Sequence, residues 1–161
     1  MSTGKAVILA GSPSDDPWVD KIEKYLGDLG VTAIRRIASA HRVPEKALEI
    51  LRFYDDDDTP TVFITVAGMS DALSGLSDAN VVSPVIACPP RSSEFAQLDV
   101  LSSMRTPPGV GPLVALEPAN AALAAAKILG LHDPDIRAAA KANQQARAQK
   151  VLDADRGHPS S

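Results

Sequence analysis

The sequence predicts an α/β protein in three layers, αβα, with a parallel sheet between two layers of helix. Short strand-like runs at 5–10, 31–37, 61–67, 83–87 and 112–116 alternate with stretches whose apolar residues recur at helical spacing. After Lys5, the runs at 5–10 and 61–67 are continuously apolar or β-branched, as in parallel strands buried on both faces. Small and polar residues crowd the turns after the runs, on what would be one edge of such a sheet.

The elements follow in order. The first strand ends at Gly11, and Gly11-Ser12-Pro13-Ser14-Asp15-Asp16-Pro17 leads into a helix that Asp15 or Asp16 can cap, with Pro17 in its first turn. Trp18, Ile22, Tyr25, Leu26 and Leu29 make its apolar face, and Gly30 closes it. The second strand, 31–37, is followed by Ser39-Ala40-His41-Arg42 and a helix opening at Pro44, with Ala47, Ile50, Leu51 and Tyr54 inward. Asp55 to Asp58 read as a solvated turn, because like-charged runs favour exposure. After the third strand, Gly68 turns the chain into a short helix over 69–75. The fourth strand precedes Cys88-Pro89-Pro90, and a helix is expected over 94–103. A fifth strand and an alanine-rich helix over 119–129, closed by Gly130, complete a core of about residues 5–130. Asp133-Pro134 starts a last helix to about Leu152. Its apolar face is thin (Ile136, Ala139, Ala140, Ala146, Val151), so it is expected to extend from the core; 153–161 reads as a polar, disordered tail.

Composition narrows the function. The 161 residues suit one domain, and a net charge of −4 argues against a general nucleic-acid surface. No apolar run approaches membrane-spanning length, and Met1 to Lys5 lead straight into a strand, so neither a membrane span nor a signal peptide is expected and a cytoplasmic location follows. The single cysteine, Cys88, excludes an intrachain disulfide, and beside two prolines it reads as a buried structural thiol. His41, His132 and His158 lie far apart, with no metal-ligand spacing.

The turns suggest the chemistry. Gly11, Ser12, Ser14 and Asp15 combine backbone N–H groups at a helix start with hydroxyls and a carboxylate, which suits a phosphate and a sugar. The loop lacks the Gly-Lys-Ser/Thr of a Walker motif and the later glycines of a dinucleotide fingerprint. Ser39 and Arg42 can hold an anion, and His41 can move protons near neutral pH. Together they suit proton-transfer chemistry on a phosphorylated small molecule, with neither metal nor redox cofactor.

These residues resemble the PurE family of purine biosynthesis. Gly11-Ser12-Pro13-Ser14-Asp15 is similar to its Gly-Ser-x-Ser-Asp loop, Ser39-Ala40-His41-Arg42 to its Ser-Ala-His-Arg/Lys motif, Ala67-Gly68 through Leu73-Ser74-Gly75 to its third loop, and Asn120-Ala121-Ala122 to its Asn-Ala-Ala helix start. The family's mutase branch, which moves a carboxylate from N5 to C4, carries a second histidine where this chain has Ala72. Its carboxylase branch, which uses CO2 directly, is the nearer likeness through Pro60-Thr61-Val62-Phe63, Cys88-Pro89-Pro90 and Asp99 followed by Ser102-Ser103-Met104-Arg105. The chain departs from that branch at Met69 and Asp71, where Arg and Asn are usual, and at Pro108, where serine is.

The resemblance implies a flavodoxin-like sheet and a cytoplasmic lyase that carboxylates 5-aminoimidazole ribonucleotide (AIR) with CO2 to 4-carboxy-AIR (CAIR). It implies His41 as general acid/base and no cofactor. Substrate would be held by Gly11, Ser12, Ser14, Asp15, Ser39, Ala40, Arg42, Ala67, Gly68, Ser70, Asp71, Leu73 and Ser74. It further implies a homo-octamer, with the last helix reaching onto neighbouring subunits, and no nucleic-acid or membrane partner. The mutase reaction and a non-catalytic nucleotide-binding role are the alternatives.

Overall fold

Strands β1 (Lys5–Ala10) and β3 (Thr61–Val66) are buried at every residue in the computed structural model, which describes residues 4–157. They form the centre of a five-stranded parallel sheet in the order β2-β1-β3-β4-β5, with β2 at Thr32–Ile37, β4 at Val85–Ala87 and β5 at Leu113–Val114. That order is the flavodoxin-like one. Ala10 pairs with both Ile37 and Val66, so the first three strands end level and their following turns start together.

Helices cover both faces. On one, Ala6, Ile8 and Ala10 pack with Val19, Ile22 and Leu26 of α1 (Asp16–Asp28) and with Ala121, Ala122, Ala125 and Ala126 of α4 (Pro118–Leu129). On the other, Val7, Leu9 and Phe63 pack with Ala47, Ile50 and Leu51 of α2 (Pro44–Asp55) and Leu73 of α3 (Ala72–Asp78). Each fully buried large apolar side chain contributes about 1.5–3 kcal/mol. Edge strand β2 is fixed through Arg35, whose guanidinium meets Asp16 at 3.2 Å, Asp20 at 2.5 Å and Glu23 at 2.6 Å, all on α1.

Several expectations are corrected. The segment over 94–103 is not an α-helix but a 3-10 stretch, Phe95–Ser103, with Ala96 and Gln97 in left-handed conformation. Its apolar residues Phe95, Leu98 and Leu101 are exposed, so no core contact favours a regular helix. Helix α3 starts at Ala72 rather than residue 69, because Met69 has φ +58° and Asp71 caps the helix. Strands β4 and β5 are shorter than the apolar runs that predict them.

The acidic run is more than a solvated turn. The Asp55 carboxylate accepts from the Val82 and Ser83 N–H groups at 2.9 and 3.0 Å, tying α2 to the entry of β4. Burial pushes the Asp55 carboxyl up, but the Ser83 hydroxyl and these N–H groups more than offset it and hold it low. Asp57 bonds to Lys5 at the start of β1 and to the Thr59 N–H and hydroxyl.

The last helix, α5 (Pro134–Asp155), buries only Ile136 and Ala140. It continues past the expected end at Leu152, while 158–161 of the expected tail, with His158, lie outside the described residues. Asp133 caps it through the Asp135 and Ile136 N–H groups, at 2.9 and 3.1 Å. Among the described residues no helix is long and apolar enough to cross a membrane.

Gly130, at the α4–α5 joint, is required for space. A Cβ there would meet Ala126 O at 2.9 Å and the Arg137 Cα at 3.0 Å, both backbone atoms. We expect Gly130→Ala to push the base of α5 off α4 and lower stability by about 1–3 kcal/mol. A urea midpoint unchanged from the parent would refute this reading of the joint.

Candidate functional site

The level ends of β1, β2 and β3 bring three turns to one edge, and a pocket of about 720 Å³ opens between them. In a 2-1-3 order the crevice beside β1 and β3 is the switch point where open α/β sheets bind ligands.

The first wall is Gly11, Ser12, Pro13, Ser14 and Asp15. Pro13–Asp15 form one 3-10 turn closed by a reciprocal cap: the Ser12 hydroxyl accepts from the Ser14 N–H at 3.2 Å, and the Asp15 carboxylate accepts from the Ser12 N–H at 3.1 Å. The Ser12 and Ser14 hydroxyls lie 2.8 Å apart. Asp15 thus caps this turn and makes no side-chain bond to α1, contrary to the expected helix cap. Burial pushes its carboxyl above the ordinary value; the Ser12 N–H partly opposes this, and Asp16 adds to it.

The second wall is Ile37 to Val43. Its backbone is anchored by the Ala38 N–H on Ala10 O and the Val43 N–H on Ser39 O, each 2.9 Å. The Ser39 hydroxyl accepts from the Arg42 N–H at 3.3 Å. His41 and Arg42 are exposed and line the pocket. Helix α2 starts here at Val43 and Pro44 with no side chain capping it, so first-turn N–H groups stay open to a ligand.

The third wall is Ala67, Gly68, Met69 and Ser70, with Leu73 behind. At its base, the Gly11 N–H of the first wall donates to the carbonyl of Val66, the last residue of β3, at 2.8 Å.

The pocket therefore collects His41, Gly11, Ser12, Ser14, Asp15, Ser39, Ala40, Arg42, Ala67, Gly68, Ser70 and Leu73. It does not collect Asp71 and Ser74. Both are buried, and the Asp71 carboxylate accepts from the Ser74 N–H at 3.0 Å and hydroxyl at 2.5 Å. The Asp-x-x-Ser spacing is itself a helix-cap signal. Sequence reasoning missed the apolar rim of Ile37 and Val43 and assigned Met69 no place in the site, although all three lie beside the motifs and are exposed at 42, 47 and 81%.

Cys88 is fully buried, does not line the pocket, and its thiol is pushed up to about 12, mainly by burial. His132 lies at the α4–α5 joint, remote in the chain from these turns. Among the described residues no group of His, Cys, Asp or Glu could hold a metal ion.

A family model described as AIR carboxylase matches residues 5–150. The chain belongs to the AIR carboxylase family. A phosphoribosylaminoimidazole carboxylase of Archaeoglobus fulgidus is 49% identical over 151 residues, covering 94% of this chain and 83% of that protein. One of Treponema denticola is 43% identical over 149 residues, covering 92% of this chain and 94% of the relative. A crystal structure of Treponema denticola PurE superposes with a TM-score of 0.94 at 41% identity, covering 98% of this chain and 99% of that one. The five-stranded parallel sheet flanked by helices is thus the fold of that structure.

The burial of Cys88 gives a direct check. We expect no reaction of the native protein with a thiol reagent at pH 8, and one equivalent of label after unfolding in guanidinium. Stoichiometric labelling of the folded protein would place the thiol elsewhere.

Proposed function

We propose that this member of the AIR carboxylase family carboxylates AIR with CO2 to give CAIR, with His41 as general acid/base. The observation that carries the reading is a single pocket in which one histidine stands between a hydroxyl-rich turn and an apolar rim. Phosphate and ribose lie against Ser12, Ser14, Asp15, Ser39 and Arg42, with the open first turn of α2 behind Arg42. The flat imidazole of the substrate lies against Ile37, Val43 and Met69, as mixed sites of this kind require. Gly68 and Ser70 border the reacting edge.

The chemistry needs few groups. The ring amino nitrogen makes C4 of AIR nucleophilic, and C4 attacks the carbon of CO2. One C–O π pair moves onto oxygen, leaving a carboxylate on a carbon that still bears its proton. His41 takes that proton and the ring regains aromaticity. A positioned base of this kind contributes about 10²–10⁴-fold. Ala72, in place of the mutase branch's second histidine, supports carboxylation over carboxylate transfer from N5.

The chain acts in the cytoplasm and as a homo-octamer in this reading. Exposed apolar residues on β5 and the 95–104 segment (Phe95, Leu98, Leu101, Met104, Leu113, Val114), together with the sparsely packed α5, support burial by other copies.

Purified protein given AIR and bicarbonate should form CAIR, followed by its absorbance. His41→Asn should lose about 10²–10⁴-fold in kcat while keeping its circular dichroism and melting temperature, because His41 is exposed. Parental turnover in that variant would remove His41 from the mechanism. CAIR formed from the N5-carboxy compound but not from AIR plus bicarbonate would favour the mutase. For the assembly, light scattering should give eight times the 16.8 kDa chain mass; a monomer would refute it.

A further inference from the structure

The third wall of the pocket is held differently from the other two. The turns after β1 and β2 are closed by hydrogen bonds within themselves or to a neighbouring strand. The loop after β3 is also gripped from a segment about thirty residues further along the chain that does not line the pocket.

The grip has two parts. The Ser102 hydroxyl accepts from the Asp71 N–H at 2.9 Å and lies 3.1 Å from Met69 O and 2.7 Å from Asp99 O. Its single proton serves one carbonyl at a time, while its oxygen holds the Asp71 N–H in either case, so the hydroxyl ties the Met69–Asp71 turn to the 3-10 stretch. The Ser103 hydroxyl, buried, donates to Asp71 Oδ2 at 2.6 Å. That same carboxylate takes the Ser74 N–H and hydroxyl, and the Ser74 hydroxyl lies 2.8 Å from the Thr65 hydroxyl on β3. Asp71 is thereby fastened to β3, α3 and the 3-10 stretch at once.

What this bracket encloses is strained. Met69 holds φ +58°, a left-handed conformation disfavoured for any residue with a Cβ, and its side chain is largely exposed at the pocket. Such a conformation persists only where the surroundings over-determine it. The exposed Met69 side chain supplies little packing to do so, whereas the Ser102 bridge acts on its carbonyl and on the N–H two residues later.

We infer that Asp71 and Ser102 are positioning residues that lock Met69 and Ser70 as a fixed wall of the pocket from the 3-10 stretch behind it. Neither lines the pocket; they act through the backbone they hold. The inference deepens the carboxylation reading and rests on it for the substrate, since a wall beside the reacting edge of AIR governs the alignment of C4 with CO2 and the His41 base. Misalignment of reacting groups acts on the chemical step more than on binding.

Ser102→Ala removes the bridge and leaves the Asp71 cap on α3. We expect its kcat with AIR and bicarbonate to fall about tenfold, with KM for AIR changed by less than about twofold. Amide exchange in a peptide spanning 67–74 should quicken, and a peptide from α4 should not. Asp71→Ala should lose at least as much kcat. Asp71→Asn should recover most of that loss, because an amide oxygen can still accept from the Ser74 N–H while its NH2 donates to the serine hydroxyls. Parental kcat in Ser102→Ala overturns the inference, as does a loss of melting temperature with kcat per folded enzyme unchanged. Should Asp71→Ala not fold, Ser102→Ala alone decides. Should the parent protein not carboxylate AIR, the substrate reading fails. Exchange then decides the bracket by itself, faster exchange at 67–74 in Ser102→Ala supporting it and unchanged exchange overturning it.

Discussion

The level ending of three adjacent strands is the constraint on which the site depends. Ala10 faces Ile37 on one side and Val66 on the other, and the polar turns begin at the next residues. This register is fixed by burial, not by the turns. Along β1, Ala6, Ile8 and Ala10 enter the core with α1 and α4, while Val7 and Leu9 enter the core with α2. A slip of one residue would exchange these two sets. The alanine-lined α4 face would then meet Val7 and Leu9 in space shaped for Ala6 and Ala10. The small size of Ala6 and Ala10 against Val7 and Leu9 therefore helps set where Ser12, His41 and Ser70 meet.

The two edges of the sheet divide the polar residues by task. At the carboxyl edge, hydroxyls, Asp15, His41 and Arg42 border an open pocket. At the other edge, polar side chains are consumed in holding the frame: Asp55 on the turn into β4, and Asp57 on Lys5. The Lys5 ammonium and the Thr59 donors hold the Asp57 carboxyl down to about 2. Its contribution to stability is therefore complete above the ordinary carboxylate range and is lost as the pH falls towards 2. Asp57 is exposed while Lys5 is buried, so salt screens the pair in part and it acts as a local tie at the start of β1.

The fold was legible because alternating strand and helix periods leave few topologies, and because Gly30, Pro44 and Asp133-Pro134 mark boundaries with known chemistry. The first two walls of the pocket were legible for a related reason: small and polar residues directly after an apolar strand have nowhere to go but the edge. The third wall was legible only in part. Asp71 and Ser74 are as polar as Ser12 and Ser14, and composition cannot say which pair faces a ligand. Their three-residue spacing fits an inward cap, but the buried Ser103 that completes it comes from a distant segment. That segment was itself misread, since Phe95, Leu98 and Leu101 have helical spacing without a core to meet.

Met69 gives the pocket an electrostatic character that bears on the proposed reaction. The carboxylase branch that the sequence resembles is expected to carry arginine at this position, whereas here the charged carboxylate and guanidinium lining the pocket are those of Asp15 and Arg42. Arg91, a possible substitute, is paired with Glu117 and does not line the pocket, and neither does Arg105. Arg42 lies beside the uncapped start of α2, and in the proposed reading the substrate phosphate takes it. The reacting edge is therefore left with a thioether and the backbone of Gly68 and Ser70. Such a wall is poorly suited to bicarbonate, whose charge would have to be desolvated without a partner. It places no comparable penalty on CO2, which is neutral and weakly hydrated until the new carbon–carbon bond forms. The negative charge that appears with that bond lies on the carboxylate oxygens, and it is stabilised by donors that need not carry a full charge, such as backbone N–H groups and the Ser70 hydroxyl. On this argument a methionine at position 69 is compatible with carboxylation by CO2, provided the wall that carries it is rigid.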